Sequence, residues 1–305
     1  MIETTTDILV IGGGAAGLAA ALEARKAGAQ VLLAEREDYL GGVLPQCLHH
    51  GFGLGVFGED LTGVEYGERY TKRFLASGAE VRLSTAVIRL NEDKTALLSG
   101  PGGLETVSFR HAFLCTGCRE RPLQSLWVGG TRPAGVFTAG QAQKLINLGS
   151  HDVGDNIVIL GSGDIGQIMA RRFSLCGKRV IAMVEIMDHL GGLARNRREC
   201  IEAYHIPVIL RATVEAVHGA GRITGVTLRH VDTDEREYLA CDTLVTSLGL
   251  IPERELIRGD TPEWLSLCGN CEHVHEIVDG VTAHSEEQVR LVWGGADRQK
   301  GDPHG

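Results

Sequence analysis

The chain has 305 residues, 43% of them apolar and 23% charged, with a formal net charge of −9. That length allows two domains, each with its own core, and the acidic balance, with no cluster of Lys and Arg, excludes a protein whose main task is neutralising nucleic-acid phosphates. No apolar run reaches the roughly 18 residues of a membrane span, and the start, Met1-Ile2-Glu3 and three threonines, lacks the basic and apolar regions of a secretory signal, so a cytoplasmic location is expected. Eight cysteines are too sparse for a secreted disulfide scaffold, and reduced thiols are expected.

The first element is an apolar run from Asp7 that enters Gly12-Gly-Gly14-Ala15-Ala16-Gly17, followed by Ala-rich sequence to Lys26 and a second apolar run, Gln30–Ala34, ending at Glu35. This spacing predicts strand, tight turn, helix, strand. Gly12 makes the turn, Gly14 lets a pyrophosphate approach the backbone, Gly17 lets helix pack on strand, and Glu35 is placed to bind a ribose hydroxyl. The helix N-terminus faces the phosphates with free N–H groups.

Further along, the runs Ala112–Thr116 and Thr243–Leu248 each stop at glycine, Gly117 and Gly249, shortly before Arg121-Pro122 and Ile251-Pro252. Prolines there suit crossings between domains. Between the crossings the first pattern returns: Asn156–Leu160, then Gly161-Ser-Gly163-Asp164-Ile165-Gly166, helical sequence to Cys176, and Val180–Val184 ending at Glu185. The glycine pairs Gly41-Gly42 and Gly191-Gly192 follow the two acids at equal distance. Counted from the fingerprint glycines, however, Glu185 falls one residue later than Glu35, which in a strand swaps the face of its side chain. Anchoring on the glycine pairs requires a local adjustment before Glu185. A lone glycine cluster could be a structural turn or a mononucleotide site; two, each between strand and helix and each closed by an acid, are read as an internal duplication. The expected fold is α/β, with two Rossmann-like dinucleotide-binding domains, the second (123–252) inserted into the first (1–122 and 253–305).

These residues resemble the pyridine nucleotide-disulfide oxidoreductase superfamily in its short, thioredoxin-reductase-sized form, over nearly the whole chain. The resemblance implies FAD at the N-terminal fingerprint, with Glu35, Arg36, Gly42, Val87, Thr116, Gly117, Asn270 and His275 among its contacts, and NAD(H) at Gly161, Gly163, Asp164, Ile165, Gly166 and Glu185. Asn270 stands where the family's Gly-Asp acid would bond the ribityl chain. The stretches Leu40–Gly53, Cys118–Pro122, Arg132–Gly140, Gly161–Arg171 and His273–Asp279 resemble more narrowly the FAD-dependent oxidoreductases that accompany anaerobic glycerol-3-phosphate dehydrogenase-like proteins. That resemblance implies an electron-relay flavoprotein of a multi-subunit dehydrogenase, passing reducing equivalents between NAD(H) and an unidentified acceptor or a partner dehydrogenase subunit; a small-molecule electron donor and acceptor and a homodimer complete the expected partners. Between Ile257 and Cys268 only a brief polar link is expected where relatives carry a hairpin and strand, leaving the flavin more open or covered by a partner.

Glu185 would accept hydrogen bonds from an unmodified ribose and repel a 2′-phosphate, favouring NAD over NADP; Arg195, Arg197 and Arg198 read as a solvated helix face. The disulfide reductases of this superfamily need two thiols beside the flavin, yet Phe137–Asn147 holds no Cys and the segment after Gly41-Gly42 holds only Cys47. Cys47 could be a single redox thiol acting on peroxide, disulfide or persulfide, with His49 gating protons, or a small buried hydrophobe. A dinucleotide-binding scaffold or sensor without turnover is the remaining alternative. Cys115/Cys118 and Cys268/Cys271 have Cys-x-x-Cys spacing, but Cys115 lies in an apolar strand and the pairs are far apart, so no metal is expected.

Overall fold

The structure is a computed structural model that describes residues 2–294; the polar tail from Ala296 to Gly305, expected to be disordered, lies outside them. The chain divides into two units. One holds the described residues up to Arg119 and from Pro252 onward, and the other runs from Glu120 to Ile251. Against the expected crossings, the first moves from 122 to 119 and the second from 252 to 251.

In the first unit the strand Ile2–Ile11 lies between the parallel strands Val31–Ala34 and Gly103–Leu114, with Ile11 opposite both Ala34 and Leu114. Glu80–Arg82 extends the sheet on one side, and on the other Thr95–Gly100 and Ala86–Leu90 add an antiparallel hairpin. A parallel strand covered on both faces must be apolar on both. Ile8, Leu9 and Val10 are fully buried: Ile8 and Val10 face the helices, while Leu9 joins Leu98, Val107, Leu114 and Leu265 on the opposite side. The helix Ala15–Lys26 packs against the helix Gly63–Ala76 and the last helix, Val278–Trp293. Its alanines after Ala15 are buried and supply the short side chains that such close packing needs.

The link between Ile257 and Cys268 departs from the expectation of a purely polar connection. Leu265–Leu267 forms a strand parallel to Gly103–Leu114, and Trp264 packs on Phe109 at 5.5 Å between ring centroids. Three apolar side chains, Trp264, Leu265 and Leu267, bring this short segment onto the sheet, which a polar average over the link conceals.

The second unit repeats the plan in a five-stranded parallel sheet, ordered Val136–Thr138, Thr243–Thr246, Asn156–Leu160, Arg179–Val184 and Val208–Ile209. On one face an antiparallel sheet built from Ala212–Gly219, Ile223–His230 and Arg236–Ala240 sets Val214, Val226 and Leu228 over Val158, Leu160 and Val184. Phe173 and Met169, from the helix Asp164–Leu175, cover the other face together with Ala139 and Ala142. Both units thus bring a glycine loop to the C-terminal edge of a parallel sheet, where ligands of such sheets bind.

Gly17 has no room for a side chain. A Cβ there would lie 1.8 Å from the carbonyl oxygen of Gly12, so helix and turn would have to part. Gly17→Ala is expected to destabilise the first unit by about 2 kcal/mol or more, read as a lowered urea midpoint, with cofactor content falling alongside.

Candidate dinucleotide sites

Each glycine loop is shaped by a positive φ and by the neighbouring strand end. Gly12 has φ +103° and faces the carbonyl of Cys115; Gly161 has φ +95° and faces the carbonyl of Ser247. A Cβ at either position would lie within 2.6 Å of that oxygen, so only glycine fits. Gly14 and Gly163, by contrast, are half-buried and cap their helices without a side-chain hydrogen bond. Ala15 and Ile165, in the first turns, are also half-buried, while Ala16 lies in the core.

Two of the three longer helices that lack a fingerprint are finished differently, whereas the third, Val278–Trp293, also has no side-chain cap. Thr62 with Glu65 and Thr138 with Gln141 form complete capping boxes on the helices Gly63–Ala76 and Ala139–Asn147. The fingerprint helices therefore keep first-turn amides that no side chain claims, the arrangement that receives a phosphate.

The acids form a matched pair. Glu35 Oε2 accepts from Gly13 N–H at 2.6 Å and Oε1 from Glu37 N–H at 2.8 Å. Glu185 Oε2 accepts from Ser162 N–H at 3.0 Å and from its hydroxyl at 2.6 Å, and Oε1 accepts from Met187 N–H at 3.0 Å. Position by position the contacts correspond, although one acid is 22 residues from its loop partner and the other 23. The difference is absorbed by a bulge. Ile157 pairs with Val180 but Val158 pairs with Ala182, so Ile181 is the extra residue, and Leu160 then lies opposite Val184 as Ile11 lies opposite Ala34. The local adjustment needed to align Glu185 with Glu35 is this bulge.

The glycine pairs complete both loops. Gly41 N–H donates to the Gly13 carbonyl at 2.8 Å, and Gly191 N–H to the Ser162 hydroxyl at 2.8 Å. Gly42, at φ +59°, runs so close to Gly14 that a Cβ would lie 3.0 Å from its Cα. Asp164 uses its carboxylate to hold Leu193 N–H and the Asn196 amide, both at 2.7 Å. Of the basic residues that follow, Arg195 pairs with Glu199, while Arg197 and Arg198 are exposed. Arg36 is exposed beside Glu35, and Val87 is half-buried on the strand Ala86–Leu90.

Within the first unit, Thr116 Oγ1 donates to the Glu253 carbonyl at 2.6 Å and Glu253 N–H donates to the Gly117 carbonyl at 3.0 Å, fixing that strand end. Asn270 Oδ1 accepts from His275 N–H at 3.0 Å and contacts its Nδ1 at 3.2 Å, so Asn270 anchors His275 directly. Sequence reasoning missed two neighbours: Glu272 and His284 join His273 and His275 in one cluster, with ring centroids 4.0–5.4 Å apart. The only sequence signal was His284 a few helical turns behind a His-x-His. Burial and the charges of His273 and His284 push the His275 imidazole below its ordinary range.

Among the described residues Glu272, His273 and His284 come close enough to share a cation, but the hydrogen bonding opposes one. Gly269 N–H donates to His284 Nδ1 at 3.0 Å, which occupies that nitrogen, and His284 Nε2 faces both Glu272 Oε2 at 2.7 Å and the Gln288 side-chain nitrogen at 3.3 Å. A metal at Nε2 would have to displace these contacts. The Cys-x-x-Cys pairs do not form a metal-sized group among the described residues. Cys115, Cys268 and Cys271 are buried, the Cys271 thiol donates to the Leu114 carbonyl at 2.8 Å, and burial pushes the Cys115 and Cys271 thiols up.

Cys47 is buried, its thiol donates to the Val43 carbonyl at 3.3 Å, and desolvation pushes it up to about 12. A redox thiol needs the opposite shift. His49 Nδ1 contacts the His50 carbonyl at 3.0 Å and its ring lies 5.1 Å from Phe52.

Two uncapped glycine loops, each closed by a carboxylate, define a protein of the dinucleotide-binding oxidoreductase class. The model of the pyridine nucleotide-disulphide oxidoreductase family matches residues 6–264, and the chain belongs to that family as an FAD- and NAD(P)-dependent oxidoreductase. It is 25% identical to a thioredoxin reductase of Treponema pallidum, over 95% of this chain and 91% of the relative. It is 26% identical to hydrogen cyanide synthase subunit HcnB of Pseudomonas aeruginosa, over 81% of this chain but only 58% of that protein. In fold it is similar to the crystal structure of T. acidophilum thioredoxin reductase, with a TM-score of 0.78 at 18% identity, covering 97% of this chain and all of that one. No described helix is long and apolar enough to cross a membrane.

The Cys47 shift is directly measurable. With the thiol near 12 instead of 9.0, the thiolate fraction at pH 8 falls by roughly a thousandfold. Alkylation of folded protein at pH 8 should spare Cys47 while exposed Cys176 reacts, and Cys47 should label only above about pH 11 or in denaturant, as peptide mapping will show.

Proposed function

We propose that the unit that ends at Arg119 and resumes at Pro252 holds FAD, that the inserted unit from Glu120 to Ile251 holds NAD(H), and that the protein passes reducing equivalents between NAD(H) and an acceptor, a partner dehydrogenase subunit. The matched pair of uncapped loops carries this reading. Gly14 leaves open space, where a Cβ would meet nothing nearer than Gly42 at 3.8 Å, and a Cβ on Gly117 would meet nothing within 4 Å, which supports room for a dinucleotide at the first cradle. Bound flavin supplies hydride acceptance and release of electrons singly or in pairs.

The chain's own residues bind and orient. Gly12, Gly14, Ala15, Ala16 and Gly17 present the first amide cradle, and Gly161, Gly163, Asp164, Ile165 and Gly166 the second. Glu35 and Glu185 fix the loops and offer their remaining lone pairs to ribose hydroxyls. A carboxylate at Glu185 sets negative charge where a 2′-phosphate would lie, which favours NAD over NADP. Thr116, Gly117, Asn270 and His275 form the corner of the first unit assigned to the flavin, and the helix Val278–Trp293, which also lacks a side-chain cap, directs its N-terminal amides toward developing negative charge.

The acceptor is inferred from what the site lacks and from one relative. The segment Phe137–Asn147 contains no thiol, and the buried Cys47 is the wrong kind of thiol for peroxide or disulfide chemistry. HcnB is by its name a subunit of a synthase, which supports a partner for this chain as well.

The purified protein is expected to be yellow and to bleach anaerobically with NADH at least ~10-fold more efficiently than with NADPH. Glu185→Ser should narrow that ratio while leaving flavin content unchanged, and Glu35→Ala should lower flavin content. Equal rates with the two nucleotides would remove the role given to Glu185; failure to bind FAD after reconstitution would remove the whole reading.

A further inference from the structure

The helix Gly63–Ala76 turns Tyr66, Tyr70 and Phe74 inward and leaves Arg69, Lys72, Arg73 and Ala76 on its outer side. Spaced at i, i+3, i+4 and i+7, these residues form one stripe about 10 Å long. With Phe57 from the preceding loop they line an open cavity of about 320 Å³. Phe57 is held edge-on against Tyr66 at 5.4 Å and Tyr70 at 5.7 Å, and both guanidinium groups lie over its ring, Arg69 at 5.1 Å and Arg73 at 4.7 Å. Stacking of this kind orients the N–H fork of an arginine outward.

Charge is unevenly satisfied here. Arg69 is bound through two 2.8 Å contacts to Glu59, whereas neither Lys72 nor Arg73 has a carboxylate within ion-pair distance among the described residues, in a protein of net charge −9. Leu54, Val56 and Leu75, from the same loop and helix, are exposed. An aromatic floor, a stacked arginine and exposed aliphatics compose the kind of surface that protein interfaces bury. A small acid in so open a place would gain little from exposed ion pairs; a protein segment adds an apolar anchor on Phe57. The loop also reaches the last helix: Asp279 accepts from Gly53 N–H at 3.2 Å and Gly55 N–H at 2.6 Å, in the first turn next to the corner assigned to the flavin.

We propose that this groove docks an acidic segment of the partner protein, with carboxylates on Lys72 and Arg73 and an apolar side chain against Phe57. The proposal rests on the electron-relay reading above and gives the partner its chemistry. The probe is a labelled helical peptide with glutamates at i and i+4 and a leucine between them, alongside its glutamine version. The wild-type flavoprotein should bind the glutamate peptide with an affinity that falls with salt, and Lys72→Glu/Arg73→Glu should weaken binding at least ~10-fold while keeping flavin and NADH bleaching. Flavin bleaching reports on the cofactor reading and peptide anisotropy on this one, so the two fail separately. No binding to wild type at millimolar peptide, equal binding of the glutamine version, or undiminished binding by the double variant would each overturn the groove.

Discussion

A carboxylate that accepts two or more backbone or hydroxyl protons fixes each glycine loop, and the rest of both units is arranged around that clamp. Glu35 is almost wholly buried, a position an acid tolerates only with directed donors. Its partner Gly13 lies in the loop before the helix and its partner Glu37 in the turn after the strand, so loop and turn are held to one another. Glu185 does the same between residues 162 and 187. The clamp keeps the helix amides pointed outward, and the absence of a side-chain cap keeps them free.

The same economy explains how the thiols are used. Seven of the eight cysteines are buried or half-buried, and the shifts at Cys47, Cys115, Cys241 and Cys271 all run upward because burial penalises the thiolate. They behave as small apolar residues with a weak donor. The family name refers to disulfide chemistry, but this chain keeps the nucleotide scaffold with six of its eight thiols buried.

Much of this was legible in the sequence because it rests on local constraints. Gly12 and Gly161 require positive φ, Gly17 and Gly166 require close approach, and the runs that enter them are uniformly apolar, so strand, turn and helix could be read one after another. The alignment of Glu185 with Glu35 was legible only through the glycine pairs, because a bulge inside a strand leaves no composition signal. Three-dimensional convergence was not legible. Glu272 and His284 are twelve positions apart and meet only when the last helix folds back on Gly269, and the short strand Leu265–Leu267 depends on pairing with a strand about 150 residues earlier. The burial of Cys47 likewise depends on Gly63, where a Cβ would lie 2.4 Å from that of Cys47.

The extra residue at Ile181 shows how two copies of one design can drift apart in length and keep their chemistry. Had the insertion fallen in the exposed turn after the strand, the acid would have stayed in phase but the glycine pair would have been displaced from the loop it braces. Placed within the strand, the slip is spent before the functional end is reached, and the pleat recovers its phase by Leu160. A ruler laid along such a chain should therefore be zeroed at the elements that touch the ligand, since the distance between them can lengthen without any change at either end.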